Sequence, residues 1–179
     1  YGKPAEVPSW LNYELWQGPA PRTPYRDNVV HYNWHWFWRW GTGEACNNGT
    51  HEVDVCRWAL DVDFPTKATS SGGRYHYNDD WEFYDTQNMT FEFGDEASIT
   101  WEGRSCNPLP HHERGRGASI HGTEGSAVVD RNGYVIYDMD NNEVDRSTAD
   151  GDGDSGLGIR AGGSMTDRHA RNFVQAIRD

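Results

Sequence analysis

The sequence predicts an α+β domain in which helices pack on one face of an open, mostly antiparallel β-sheet. Three observations lead there. From Gly43 to Leu60 apolar and polar residues fall on separate stripes of a helix, after Pro65 the period switches to two, and nowhere do strands alternate with crossover helices in βαβ fashion. Nine Trp, nine Tyr and six Phe offset an apolar content of only 35%, so aromatic burial must carry much of the core. A chain of 179 residues suits one globular domain.

Residues 1–30 hold five of the eight prolines and show no sustained period, which predicts an extended Pro- and Trp-rich arm anchored by Trp10, Leu11, Leu15 and Trp16. Residues 31–179 form the body. It opens on HYNWHWFWRW, with five aromatics between Tyr32 and Trp38. In the helix from Gly43, the residues Cys46, Gly49, Val53, Cys56 and Leu60 share a packing stripe. Asn47, His51, Asp54 and Trp58 lie on a second stripe about 150° away, at about 100° per residue. KATSSGGRYHY, TQNMTFEFG and ASITWEG read as strands, with Gly94-Asp95 as a turn, and SAVVDRNGYVIYD reads as a hairpin around Asn132-Gly133. The loop NPLPHHERGRG interrupts this meander, and a Gly- and Asp-rich stretch follows it. SMTDRHARNFVQAIRD closes the chain as a helix with Thr166 near its N-cap and Phe173, Ala176 and Ile177 facing inward.

Charge and cysteine content narrow the function. With 28 Asp and Glu against 16 Lys and Arg, the net charge of −12 repels phosphate backbones, and no basic stripe offsets it, so nucleic acid is not an expected partner. No apolar run reaches the length of a membrane span, and YGKPAEVPSW has neither the basic nor the apolar region of a signal peptide, so the chain reads as soluble. Three cysteines exclude a complete internal disulfide framework. Cys46 and Cys56, ten residues apart on one helix and so about 15 Å apart, read as buried thiols.

Several constellations carry chemistry. Asn47 and His51, four apart, would meet on one helix face, where an imidazole can take a hydroxyl proton and an amide can hold the substrate oxygen in register; a solvent-facing polar helix side has the same spacing. His31, His35, His51 and Glu52 invite a zinc reading, but the spacer is aromatic and no H-E-x-x-H is present, so no metal is expected. The same Trp and His rings suit a sugar-sized cleft, with plain core packing as the competing use. Asp150, Asp152 and Asp154, like Asp138, Asp140 and Asn142, imitate a calcium loop without its closing Glu and read as solvated acidic loops. Gly156 to Ala161 imitates a dinucleotide fingerprint without a strand or helix to frame it. HHERGRG is an exposed loop of mixed charge.

The segments WLNYELWQGPAP, HYNWHWFWRWGTGEACNNGTHEVDVCRWAL, SSGGRYHY, TFEFGDEASITWEG and RNFVQAIRD, in that order, resemble the C-terminal domain of the Gfo/Idh/MocA oxidoreductases. The resemblance spans nearly the whole chain, and G-T-G-E-x-x-N-x-G-x-H-E-x-D after a Trp-rich run is its most specific part. It implies that residues 31–179 are a substrate-binding and oligomerisation α/β domain that works with an N-terminal Rossmann domain holding NAD or NADP. By motif position Asn47 and His51 are the residues that contact the reacting carbinol, with Trp34, His35, Trp36 and Trp16 walling the pocket. The family more commonly has Asp where Asn47 stands, so the proton falls to His51 or to a lysine elsewhere. Gly2-Lys3-Pro4 imitates the family's Glu-Lys-Pro but lies in the connecting arm, so Lys3 inherits no role.

The expectation is therefore the substrate domain of an NAD(P)-dependent oxidoreductase acting on a sugar, cyclitol or related polyol. Without the Rossmann domain no cofactor is expected on this chain, which would be catalytically silent, and a homo-oligomer would form through the open sheet face. The alternative is a stand-alone carbohydrate-binding or structural assembly module.

Overall fold

The computed structural model describes residues 1–148 and 165–179, with side chains described up to 148 and from 169. The motifs at Asp150, Asp152 and Asp154 and at Gly156 to Ala161 lie outside the described residues. Two compact units form, Tyr1–Pro110 and His111–Asp179.

The first unit is built around aromatic rings. Tyr13, Tyr25, Val29, Trp36 and Phe37 are buried, with Leu11, Trp16, Val30, Trp40, Trp81 and Phe83 packed against them. The arm belongs to this cluster because a single helical turn, α1 (Tyr13–Trp16), turns Tyr13 and Trp16 inward three residues apart. Asn12 caps it, its side chain accepting the Leu15 N–H at 3.0 Å. The same turn leaves Leu15 77% exposed, so it is not an anchor, and neither is Trp10, which stacks on His31 at the surface. Asp80 ties the two limbs of the arm together: it accepts the Gly2 N–H at 3.0 Å, the Asn28 amide at 3.0 Å and the Arg26 guanidinium at 2.9 Å.

The Trp-rich run folds as a 3₁₀ turn, Asn33–Trp36, that buries His35 and Trp36. Trp36 stacks on Trp81 with centroids 4.9 Å apart and planes 9° from parallel. The helix expected to run unbroken from Gly43 is instead two: α2 (Gly43–Asn47) and α3 (Gly49–Leu60), divided at Asn48. The division is a local tightening. The His51 N–H bonds the Asn48 carbonyl, three residues back, where an α-helix would use Asn47. Gly49, Val53, Cys56 and Leu60 keep the inward stripe, but Cys46, on the far side of the break, is exposed rather than a buried thiol.

α3 packs on the last strand of a three-stranded antiparallel sheet, β1 (Lys67–Gly73), β2 (Thr86–Phe93) and β3 (Ala97–Arg104), in that spatial order. Phe91 pairs with Ile99 and Met89 with Trp101, which places their side chains on one face. Gly49 is needed at the contact, because a Cβ there would meet the Trp101 indole at 2.9 Å. Thr69, Thr90 and Thr100 line the opposite face.

Asp85 pins the long connection between β1 and β2. It is 6% exposed and accepts the backbone N–H groups of Tyr75 at 3.2 Å, His76 at 3.0 Å and Tyr77 at 3.1 Å, and the Thr86 hydroxyl at 2.9 Å. Burial alone would push its carboxyl up, but the His76, Tyr75 and Tyr77 N–H bonds and the Thr86 hydroxyl outweigh it and hold the pKa at about 2.

The second unit holds a four-stranded antiparallel meander, β4 (Ala118–His121), β5 (Ser126–Asp130), β6 (Gly133–Tyr137) and β7 (Glu143–Thr148), around buried Val128 and Val135. The expected Asn132-Gly133 hairpin joins β5 to β6, with Gly133 at φ 141°. The strands thus form two open sheets instead of one continuous meander. β4 and β7 carry too little alternation to be read in advance, and β7 lies in what reads as an acidic loop. Asp138 closes the β6–β7 turn on itself, accepting the N–H groups of Asp140 and Asn142. The closing helix, α4 (Met165–Arg178), begins before Thr166. Its Phe173 and Ile177 are 66% and 69% exposed, and Ala176 is exposed too, so the inward face expected for them is open among the described residues. The architecture is α+β with open antiparallel sheets.

Two measurements check this account. A group whose pKa is lowered by folding stabilises the fold above the unfolded value, about pH 4, and loses that contribution as pH falls toward 2. Asp85→Asn is therefore expected to cost about 1–3 kcal/mol in denaturant unfolding at pH 7, with the gap to the parent closing as the pH approaches 2. Trp36→Ala, which empties the centre of the aromatic cluster, is expected to cost about 3–5 kcal/mol in the same assay.

Candidate functional site

The 3₁₀ turn Asn33–Trp36 packs against α2, so the aromatic and polar halves of the 31–60 stretch become neighbours. Gly41 makes this approach possible, since a Cβ there would run into the His35 backbone. Asn47 ends α2 half-buried, and His51 stands exposed in the first turn of α3.

Glu44 organises this corner. Its carboxylate accepts the Asn47 amide at 3.4 Å through Oε2 and the Asn48 amide through Oε1, while its backbone carbonyl takes the Asn48 N–H at 2.9 Å. Sequence reasoning assigned no role to Glu44, although its spacing of three and four from the two asparagines is the helical signal for such bonds.

The four expected wall residues are placed differently from one another. Trp34 is 41% exposed. His35 is buried among the rings of Tyr32, Trp34 and Trp36, with no hydrogen-bond partner for its Nε2 among the described residues, and Trp36 is turned into the core. Trp16 is half-buried and meets Trp40 edge-on at 5.2 Å. Of the zinc candidates, His31 stacks on Trp10 while His35 is in the core, and among the described residues no three His, Cys, Asp or Glu side chains assemble as a ligand set.

A cleft also opens between Trp36, Arg74, Tyr77, Trp81 and Tyr84. Its charged groups are committed within the chain: Arg74 to the Asp79 carboxylate and to the carbonyls of Tyr77 and Asp79, and Asp85 to backbone N–H groups. It is a packing seam more than a site.

Residues 2–130 match the family described as oxidoreductase family, C-terminal alpha/beta domain (GFO_IDH_MocA_C2). The chain belongs to that family. No curated protein matches it. Enzymes of the family generally hold NAD or NADP in a Rossmann domain. Among the described residues all strand pairings are antiparallel and no strand, glycine loop and helix are framed as a dinucleotide cradle, so these elements do not fit that cofactor.

The two helix thiols differ in exposure and surroundings. Cys46 is exposed, whereas burial, reinforced by the charge of Glu52, pushes the half-buried Cys56 thiol up. In iodoacetamide labelling at pH 8 followed by peptide mass mapping, Cys46 is expected to be modified well before Cys56.

Proposed function

We propose that this chain is the substrate-binding domain of an NAD(P)-dependent oxidoreductase acting on a sugar, cyclitol or related polyol. The observation that carries the reading is the corner itself: a Glu44-held Asn47 and an exposed His51, on the helices beside the Trp34 turn, in a chain of this oxidoreductase family. His51 takes the proton of the reacting hydroxyl, and Asn47 keeps the substrate oxygens in register. Trp34 offers an aromatic face to the C–H side of the ring, Trp16 adds a second one, and His35 and Trp36 support the turn from the core. NAD or NADP, bound by a Rossmann domain, supplies the redox chemistry.

In the oxidoreductase that carries this domain, His51→Ala is expected to lower kcat by about 10²–10⁴ while KM changes little; an unchanged kcat would contradict the proton role. For the chain by itself, calorimetry with D-glucose and myo-inositol is expected to show binding weaker than about 1 mM and no turnover with NAD or NADP. Tight sugar binding without cofactor would instead favour a stand-alone carbohydrate-binding module. The exposed face of β1–β3 is the surface on which copies would associate, and light scattering tests this. A strict monomer at high concentration would count against it.

A further inference from the structure

The basic residues of this chain are almost all of one kind, and most of those described are engaged. Of the sixteen, only Lys3 and Lys67 are lysines, and the other fourteen are arginines. A lysine ammonium stays strongly hydrated on a mobile stem, whereas the guanidinium fork closes onto carboxylates, so a chain poor in lysine keeps few free cations on its surface. The ion pairs follow that pattern. Lys67 and seven arginines pair with carboxylates, among them Arg22 with Glu14 at 2.6 Å, Arg146 with Glu143 at 2.7 Å and Lys67 with Glu92 at 2.8 Å.

Pairing removes charges one for one and so leaves the acidic excess untouched. Glu6, Asp54, Asp61, Asp95, Glu96 and Glu124 are exposed and belong to none of the ion pairs among the described residues. Asp95 and Glu96 are consecutive in the turn between β2 and β3. The net charge of −12 thus rests on carboxylates that repel one another, which weakens a compact state against an expanded one. The core that opposes this repulsion is thin. Ten apolar residues are buried among the described residues, while Leu15, Trp58 and Phe64 stand mostly in solvent. In a fold held by a small net margin, unscreened repulsion is enough to shift the balance.

We propose that the fold of this chain depends on a high concentration of monovalent cations, sodium or potassium, which gather around the unpaired carboxylates. The screening length falls from about 10 Å at 0.1 M salt to about 3 Å at 1 M, so only molar salt silences repulsion between neighbouring groups. The ions act as an atmosphere over the surface and need no discrete site. This dependence is separate from the chemistry assigned to Asn47 and His51.

Thermal unfolding of the full chain, followed by circular dichroism from 0.1 to 2 M KCl and again in NaCl, tests the proposal. Tm is expected to rise by roughly 10 °C or more across the range in both salts. A Tm that stays flat, or that rises in one salt alone, would overturn it. Molar salt also strengthens apolar burial, so two surface variants separate the causes. Glu6→Lys, Glu96→Lys and Glu124→Lys together bring the formal net charge from −12 to −6, each adding two units, and Gln at the same three positions brings it to −9, each adding one. Both variants are expected to be more stable than the parent in 0.1 M KCl and to gain less from added salt, the Lys variant least of all. If the Lys variant does not fold, the Gln variant decides. Salt gains equal to the parent's would assign the effect to apolar burial and overturn the proposal.

Discussion

The stack of Trp36 on Trp81 is the contact on which the rest of the first unit depends. It joins two segments far apart in the chain, the 3₁₀ turn and the connection that precedes β2. Trp16, Trp40, Tyr13 and Tyr25 extend the same packing to the arm through edge-on and stacked contacts. Rings suit this task in a chain of low apolar content, because each buries a large area at the cost of ordering only two side-chain torsions. With the turn held, α2 is fixed against it. Gly49, having no side chain, lets α3 lie directly against Trp101, which sets the second helix of the corner on the sheet.

Polar anchors complete what the rings begin. Asp85 and Asp80 both have strong hydrogen-bond partners, and each joins segments that aromatic packing alone would leave loosely connected: Asp85 the chain around Tyr75 to Tyr77, and Asp80 the arm at Gly2, Arg26 and Asn28. For Asp80, too, burial works against the charged form. The Gly2 N–H, the Asn28 amide and Arg26 outweigh it and hold its carboxyl below the usual range. Glu44 repeats the arrangement on a smaller scale at the helix break. Three carboxylates that bind backbone or amide groups thus set the frame, the arm and the corner.

What could be read in the residues follows from how local each signal is. Strands β1, β2 and β3 and the β5–β6 hairpin alternate or carry turn dipeptides, so their positions are legible. β7, with Glu143, Asp145 and Arg146 along it, owes its state to pairing with β6, which nothing in its own residues announces. The inward stripe of α3 is legible from Gly49 to Leu60, but the break at Asn48 is not, because it rests on a side-chain bond to Glu44 and a tightened backbone turn. His35 and Trp36 show the limit most clearly. Rings in a polar stretch suit a ligand wall and a core equally well, and only the position of Trp81, 45 residues later, turns Trp36 inward.

Chemistry at this corner requires the ends of Asn47 and His51 to share one accessible surface across the break at Asn48. A nuclear Overhauser experiment on the labelled chain measures this directly, through the Asn47 side-chain amide protons and the His51 ring protons. A cross-peak between them is the predicted result. Well-resolved signals for both groups with no cross-peak between them, each instead showing contacts to different neighbours, would contradict the account.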